Sequence, residues 1–401
     1  MSNMTLEQRV LLELLSGEIT GESEINKEDL KAVNWNGVLK EARAQAVPLM
    51  AAEAAAKYKE YISNYEKWKD VMACTHFANV VIAYSEQQLG QLMGERPYLI
   101  LKGMSAASYY PKPHERCFGD IDFLIDTSQR DEIERLLENS GYERLKEENI
   151  CHVSFKKDNA HLEMHFQISG IPYGKPGEIV KEFFAKVMDS RKTAEFDGWN
   201  FPAPEDMYHG MIILLHMQKH MLSEGVGIRH ICDWACYVKK TEKDDFWKEL
   251  LDLFEKVGLL TYAKVITRLS AKYFHIHLPN WAKDADEQLC DDLMQDILTG
   301  GNFGRKDMER SKSGMMISEH GKCGTQRGSI ANLFWTLHHS VKSKYPIVKK
   351  CVLLYPFLDA WRVILYTGRM VTGKRKSILK MAPLAKQRRS VYERLHLFEI
   401  E

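Results

Sequence analysis

An α+β chain, with a small mixed β-sheet core between helical regions at both ends, is predicted by three features of the sequence. Helical spacing and good helix formers occupy residues 5 to about 92. After Pro97 the pattern changes to short runs with the two-residue period of strands. From Pro204 the helical spacing returns.

The elements follow in order. LEQRVLLELL and ARAQAVPLMAAEAAAKYKEYI make the helical lead-in, the second being rich in alanine, lysine and glutamate. YLILKG is an apolar run closed by glycine and DIDFLID alternates strictly, which makes two strands bounded by turn residues. Ser128 opens SQRD, with Asp131 three positions on and Ile133, Leu136 and Leu137 at helical spacing behind it, so a capped helix is expected there. CHVSFKK and HLEMHFQI alternate on either side of Asp158 and Asn159 and form a hairpin. The order is strand, helix, strand, helix, hairpin. Pro204, Glu205 and Asp206 suit the first turn of a helix carrying MYHGMIILLHMQKHML, and more helices should follow to about residue 300. GGNFGRKDMERSKSGMMISEHGKCGTQRGS is polar and glycine-rich, hence a long loop open to movement. These breaks divide the chain into a helical region at 1–94, a sheet core at 95–203, a helical domain at 204–305, and a polar loop with a basic helical end at 306–401. No internal repeat or low-complexity tract interrupts them.

Composition sets outer limits. A chain of 401 residues predicts two or three domains, and 45% hydrophobic with 27% charged residues excludes disordered and fibrous classes. Lysine plus arginine equals aspartate plus glutamate at 55 each, so no global field calls for a nucleic-acid or membrane partner. From His338 onward, however, 14 lysines and arginines face 4 acids. There LLYPFLDAWRVILY precedes GKRKSILKMAPLAKQRRS, which allows weak contact with an anionic surface beside the plainer expectation of a packed helix with a solvated basic end. MSNMTLEQRV lacks the basic start and apolar run of a secretory signal. The most apolar stretch, Val352 to Tyr366, contains Pro356, Asp359 and Arg362, so no transmembrane segment is expected. The eight cysteines are scattered in a chain large enough to need no staples; reduced thiols and a cytoplasmic protein follow.

The chemistry concentrates in Leu99 to Asp126, LILKGMSAASYYPKPHERCFGDIDFLID. Strand alternation sends Asp120 and Asp122 to one face and Ile121, Phe123 and Ile125 to the other. Two carboxylates roughly 4 Å apart repel by about 4 kcal/mol at an effective dielectric near 20, so the pair must be solvated, partly protonated or held by a cation. Magnesium, an oxygen-seeking ion bound by one or two carboxylates plus substrate phosphates, is the natural match; a wet edge strand is the plainer one. Lys102, Gly103, Met104 and Ser105 close one strand and open a helix, where glycine permits close backbone approach and Ser105 with nearby amides suits a phosphate. Glu163 and His165 alternate with Leu162, Met164 and Phe166, which adds a third carboxylate and an imidazole on one face of a neighbouring strand. Three acids from two strands beside a glycine turn suit phosphoryl or nucleotidyl transfer.

At these residues the chain resembles the DNA polymerase beta nucleotidyltransferase superfamily and, more narrowly, its bacterial branch of uncharacterised nucleotidyltransferases. The matching pieces are Leu101-Lys102-Gly103, Tyr110-Pro111, Arg116, Gly119 to Asp122, and Glu163 with His165; the likeness continues through His216, His220, Arg229 and Asp233 to GGNFG at 300–304. The broader superfamily prefers Gly-Ser or Gly-Gly at the phosphate turn, whereas here Met104 sits between Gly103 and Ser105. The resemblance implies transfer of a nucleoside monophosphate from a nucleoside triphosphate to an acceptor hydroxyl on a small molecule, protein or RNA. It implies two magnesium ions, with manganese as substitute, held by Asp120, Asp122 and Glu163; Lys102, Gly103, Ser105 and Arg116 would lie at the nucleotide. His165, His220, Arg229 and Asp233 would support them, Arg229 pairing with Asp233 one helical turn on. The alternative is a catalytically silent nucleotide-binding or interaction protein on the same fold. Neither the base nor the acceptor is legible.

Two further clusters have simpler readings. His216 and His220 share a helical face, but Met217 stands where a zinc protease would need glutamate. Cys232, Cys236 and His230 lack the tight turn and second pair of a zinc knuckle, so packing is expected there.

Overall fold

The computed structural model describes residues 4–23, 25–146, 150–172, 174–241 and 244–307, with the short stretches 341, 354–361, 364 and 388–397. The loop expected over 300–329 begins within the described residues, where Gly300 ends a helix and Asn302–Gly304 form a short turn; its remainder from 308 and most of the basic end lie outside them.

The N-terminal helices are α1 (Leu6–Thr20), α2 (Lys27–Ala32), α3 (Trp35–Ala44), α4 (Pro48–Ala55) and the long α5 (Glu66–Met93). Local chemistry fixes their starts. Thr5 and Gln8 form a reciprocal capping box at α1, and Asn34 accepts the Gly37 N–H at α3. Gly94 ends α5 with φ 58°, a conformation that few other residues adopt readily.

The sheet region contains β1 (Tyr98–Ile100), α6 (Met104–Ala107), β2 (Ile121–Ile125), α7 (Arg130–Asn139), β3 (Glu143–Arg144), β4 (His152–Lys157) and β5 (Ala160–His165). The five strands lie in the order β1-β2-β5-β4-β3. Only β2 and β5 run parallel; every other pairing is antiparallel, so the sheet is mixed as expected. α7 begins two residues later than Ser128, because the Asp126 carboxylate accepts the Ser128 N–H and forms a short turn first. Ile121, Phe123, Ile125, Leu162 and Met164 bury one sheet face against Leu89 and Met93 of α5 and Ile133 and Leu137 of α7. The opposite face turns its polar residues to a cleft.

Next come α8 (Gly174–Phe184) and a hairpin of β6 (Arg191–Phe196) and β7 (Trp199–Pro204) that was not expected. Its turn is Asp197-Gly198, both with positive φ (47° and 80°), the backbone a tight hairpin needs. β7 lies against β1. The helices α9 (Asp206–Leu222), α10 (Ile228–Lys240), α11 (Asp244–Lys256), α12 (Leu260–Phe274) and α13 (Glu287–Gly300) then join α1, α3 and α4 in one large apolar core. Trp234, Tyr262 and Phe274 are buried within it. Cys232 and Cys236 are core residues, and burial pushes both thiols well above their ordinary pKa. Among the described residues no helix is long and apolar enough to cross a membrane.

Candidate active site

A cleft of about 740 Å³ lies between the polar sheet face and helices α9 and α10. Lys102, Gly103, Arg116, Asp120, Asp122, Glu163, His220, Arg229 and Asp233 all line it, so residues spread over about a third of the chain meet in one place. Ser105 does not: it is fully buried beneath the turn, and its hydroxyl donates to the Ile100 carbonyl at 2.5 Å.

The sheet register builds the acidic wall. Asp122 on β2 stands directly opposite Glu163 on the parallel β5, and Asp120 precedes β2 on the same face. Buried Asn79 on α5 fixes the approach: its amide donates to the carbonyls of His114 and Arg116 and accepts the Phe118 N–H, clamping the loop that delivers Asp120. The two aspartates sit in different surroundings. Asp120 is half exposed and meets His161 Nδ1 at 3.0 Å. Burial raises its pKa, the carboxylates of Glu163 and Asp122 add to the rise, and His161 opposes it.

Asp122 is buried, and one oxygen meets Lys102 Nζ at 2.5 Å and His165 Nε2 at 3.0 Å. Burial alone would raise its pKa, but those two cationic partners hold it well below the carboxylate range. The reciprocal effect appears at His165: burial works against its charge, yet the hydrogen bonds to Asp122 and Glu163 raise its pKa above the ordinary value. Beneath the turn lies Glu86, whose Oε2 comes within 4.0 Å of the Cβ that any other residue would carry at Gly103. Gly103 has φ 59°. Burial, with the Asp122 charge beside it, pushes the Glu86 carboxyl far up.

The cationic wall also departs from expectation. Arg116, assigned above to phosphate charge, is buried and forms a bidentate pair with Asp233 at 2.7 and 2.8 Å. Tyr110 donates to the same carboxylate at 2.7 Å. Asp233 is thereby engaged from the loop that precedes β2 rather than by Arg229 on its own helix. Arg229 instead lies over the ring of Phe303 at 5.8 Å, and its Nε is buried without a hydrogen-bond partner among the described residues. Burial and the neighbouring Arg116 charge lower its pKa. Lys219 and Arg305 complete the basic side. His216, His220 and His230 cluster with ring centroids 4.4 to 6.0 Å apart, and burial lowers the pKa of each.

The donor set suits a divalent cation. Ligand atoms of Asp120, His161 and Glu163 lie within 4.8 Å of one another at the mouth of the cleft, and those of His152, Glu163 and His165 do so deeper in the sheet. Neither histidine 152 nor 161 was singled out from the sequence. His161 was findable there, because it precedes Glu163 by two on an alternating strand; His152 reaches the site only through the register that pairs it with His165.

A family model described as uncharacterised nucleotidyltransferase matches residues 31–275, beginning well inside the N-terminal helices. No curated protein and no solved structure matches the chain.

Proposed function

The chain belongs to the uncharacterised nucleotidyltransferase family, and from that premise we propose that its cleft takes a nucleoside triphosphate with magnesium and passes the nucleoside monophosphate to an acceptor hydroxyl. The acceptor oxygen bonds to the α-phosphorus as the bond to pyrophosphate breaks. One observation carries this reading: the β2–β5 register brings Asp120, Asp122 and Glu163 to a single face, with Lys102 against Asp122 and with Lys219 and Arg229 lining the same cleft.

A triphosphate approaching three carboxylates is repelled unless a cation lies between them. Bound to these acids, magnesium supplies that charge and polarises the phosphates. We assign Asp120 and Asp122 to the metal and triphosphate, and Glu163 to the acceptor side, where it serves as a further metal ligand or takes the hydroxyl proton. Lys102 and Gly103 serve the phosphates. Arg229 takes the part first given to Arg116, because Asp233 already neutralises Arg116 while Arg229 faces the cleft with donor capacity left over.

The test is incubation of purified protein with each α-labelled nucleoside triphosphate, magnesium and a cell extract, followed by location of the label. Wild type should label an acceptor and Asp120→Asn should not. A silent nucleotide-binding or interaction protein is the second reading. It draws on the 2.5 Å contact of Lys102 with Asp122, which neutralises one acid without any metal. Turnover above the Asp120→Asn background excludes it.

A further inference from the structure

We propose that His161 is a direct metal ligand, and that with Asp120 and Glu163 it makes a mixed nitrogen and oxygen site preferring a divalent first-row transition ion over magnesium. This deepens the metal-dependent reading of the same cleft and rests on it.

The geometry follows from strand pairing. Ile121 and Leu162 are register partners on parallel strands, so the residues just before them, Asp120 and His161, sit side by side at the strand mouth. Alternation along β5 then puts His161 and Glu163 on the cleft face while Leu162 and Met164 are fully buried behind it. His161 Nδ1 already lies 3.0 Å from an Asp120 oxygen, and all three ligand atoms fall within 4.8 Å of one another. Small side-chain rotations bring such a set onto one ion at metal–ligand distances of about 2.1 Å. Rotation is open to them: the His161 and Asp120 side chains are 32% and 54% exposed.

The deeper set of His152, Glu163 and His165 is less suited to entry, because His165 is 1% exposed and its Nε2 is held by Asp122. The outer set is therefore the open one. Its chemistry decides the ion. Magnesium keeps oxygen ligands and binds imidazole poorly, whereas manganese and the later first-row ions accept nitrogen and oxygen together. If His161 were only a hydrogen-bond partner of Asp120, the site would be a carboxylate pair with no such preference.

The test uses the full-length protein, stripped of metal and titrated with manganese chloride, with binding read by electron paramagnetic resonance and no nucleotide or turnover required. Expected are bound manganese with imidazole-nitrogen modulation in the electron spin-echo signal, and affinity about tenfold or more above that of competing magnesium. His161→Asn should lose both the modulation and the preference, while its melting temperature in chelator stays at the wild-type value. His152→Asn should keep the modulation. Bound manganese without nitrogen modulation, or modulation that persists in His161→Asn, overturns this inference and leaves the carboxylate site of the proposed function standing. Failure of manganese to bind at all overturns this inference too, whereas the proposed function, whose ion is held partly by substrate phosphates, falls only if label transfer is also absent.

Discussion

Lys102 holds its ammonium 2.5 Å from the Asp122 carboxylate and 3.5 Å from Nδ1 of His216, linking the end of the first strand to both walls of the cleft. His165 meets the same aspartate oxygen from the neighbouring strand at 3.0 Å. Asp122 is thus kept ionised in a buried place by two side chains that any incoming cation must share it with.

Removing the ammonium exposes that dependence. Lys102→Met leaves a buried carboxylate with one partner fewer, so stability in chelator should fall by about 3 kcal/mol. Added magnesium or manganese should recover part of the loss, and should stabilise this variant more than wild type, since ligands stabilise only through binding the folded state. Urea unfolding with and without metal measures both effects. An unchanged unfolding midpoint in chelator would contradict the account.

Arg116 and Asp233 form a structural pair between the sheet region and α10. Arg116→Met should cost roughly 3–5 kcal/mol, because Asp233 is left buried with only Tyr110 to satisfy it. Combining it with Asp233→Leu should restore much of the stability. A double-mutant cycle by chemical unfolding gives the coupling. Additive losses, or a Michaelis constant for nucleotide that rises while stability is untouched, would return Arg116 to the phosphates.

Arg229 should behave in the opposite way. Its guanidinium lies near Arg116 and over Phe303 with Nε unpartnered among the described residues, so Arg229→Gln relieves charge crowding and should leave the melting temperature equal or higher. Affinity for a nucleoside triphosphate should fall by about tenfold, the effect of one lost charge-assisted hydrogen bond. Isothermal titration with a non-hydrolysable analogue measures it; undiminished affinity would remove Arg229 from the phosphate site.

Acid should weaken the fold through His209. Burial pushes its pKa down to about 3, against an ordinary value near 6.5, so the folded state holds it neutral. Its contribution is complete above about pH 6.5 and is lost as pH falls toward 3, at about 1.4 kcal/mol per pH unit. His165 has the opposite sign: its raised pKa stabilises below about pH 6.5, and that contribution is lost as pH rises through the folded value. Unfolding free energies between about pH 7 and pH 5 should fall less steeply in His209→Gln, by one proton equivalent. An identical slope would show that His209 titrates normally.

The acids were legible because strand alternation is a local rule. Asp120, Asp122, Glu163 and His165 could be placed on one face by counting in twos, and the β4–β5 hairpin around Asp158 followed in the same way. His161 obeyed the same count. The β6–β7 hairpin carried an Asp-Gly turn, but RKTAEF is largely exposed and lacks the apolar alternation that marks a strand.

Partners far apart in the chain were hidden. Asp233 satisfies the spacing rule with Arg229 four residues earlier, yet it bonds Arg116 from 117 positions away. Likewise a serine after a glycine turn suits a phosphate by type, whereas the Ile100 carbonyl beneath it takes the Ser105 hydroxyl. Tertiary hydrogen bonds decided both cases, and residue spacing does not encode them.

The central claim is that Asp120, Asp122 and Glu163 work as one unit in nucleotidyl transfer. The most direct measurement is label transfer from an α-labelled nucleoside triphosphate by wild type, Asp120→Asn, Asp122→Asn and Glu163→Gln, each checked for folding by thermal melting. The account predicts that transfer falls by orders of magnitude in all three variants, that Asp120→Asn melts no lower than wild type without metal because carboxylate repulsion is relieved, and that Glu163→Gln still binds nucleotide while turnover collapses. Full transfer activity in Asp120→Asn or Asp122→Asn would contradict it.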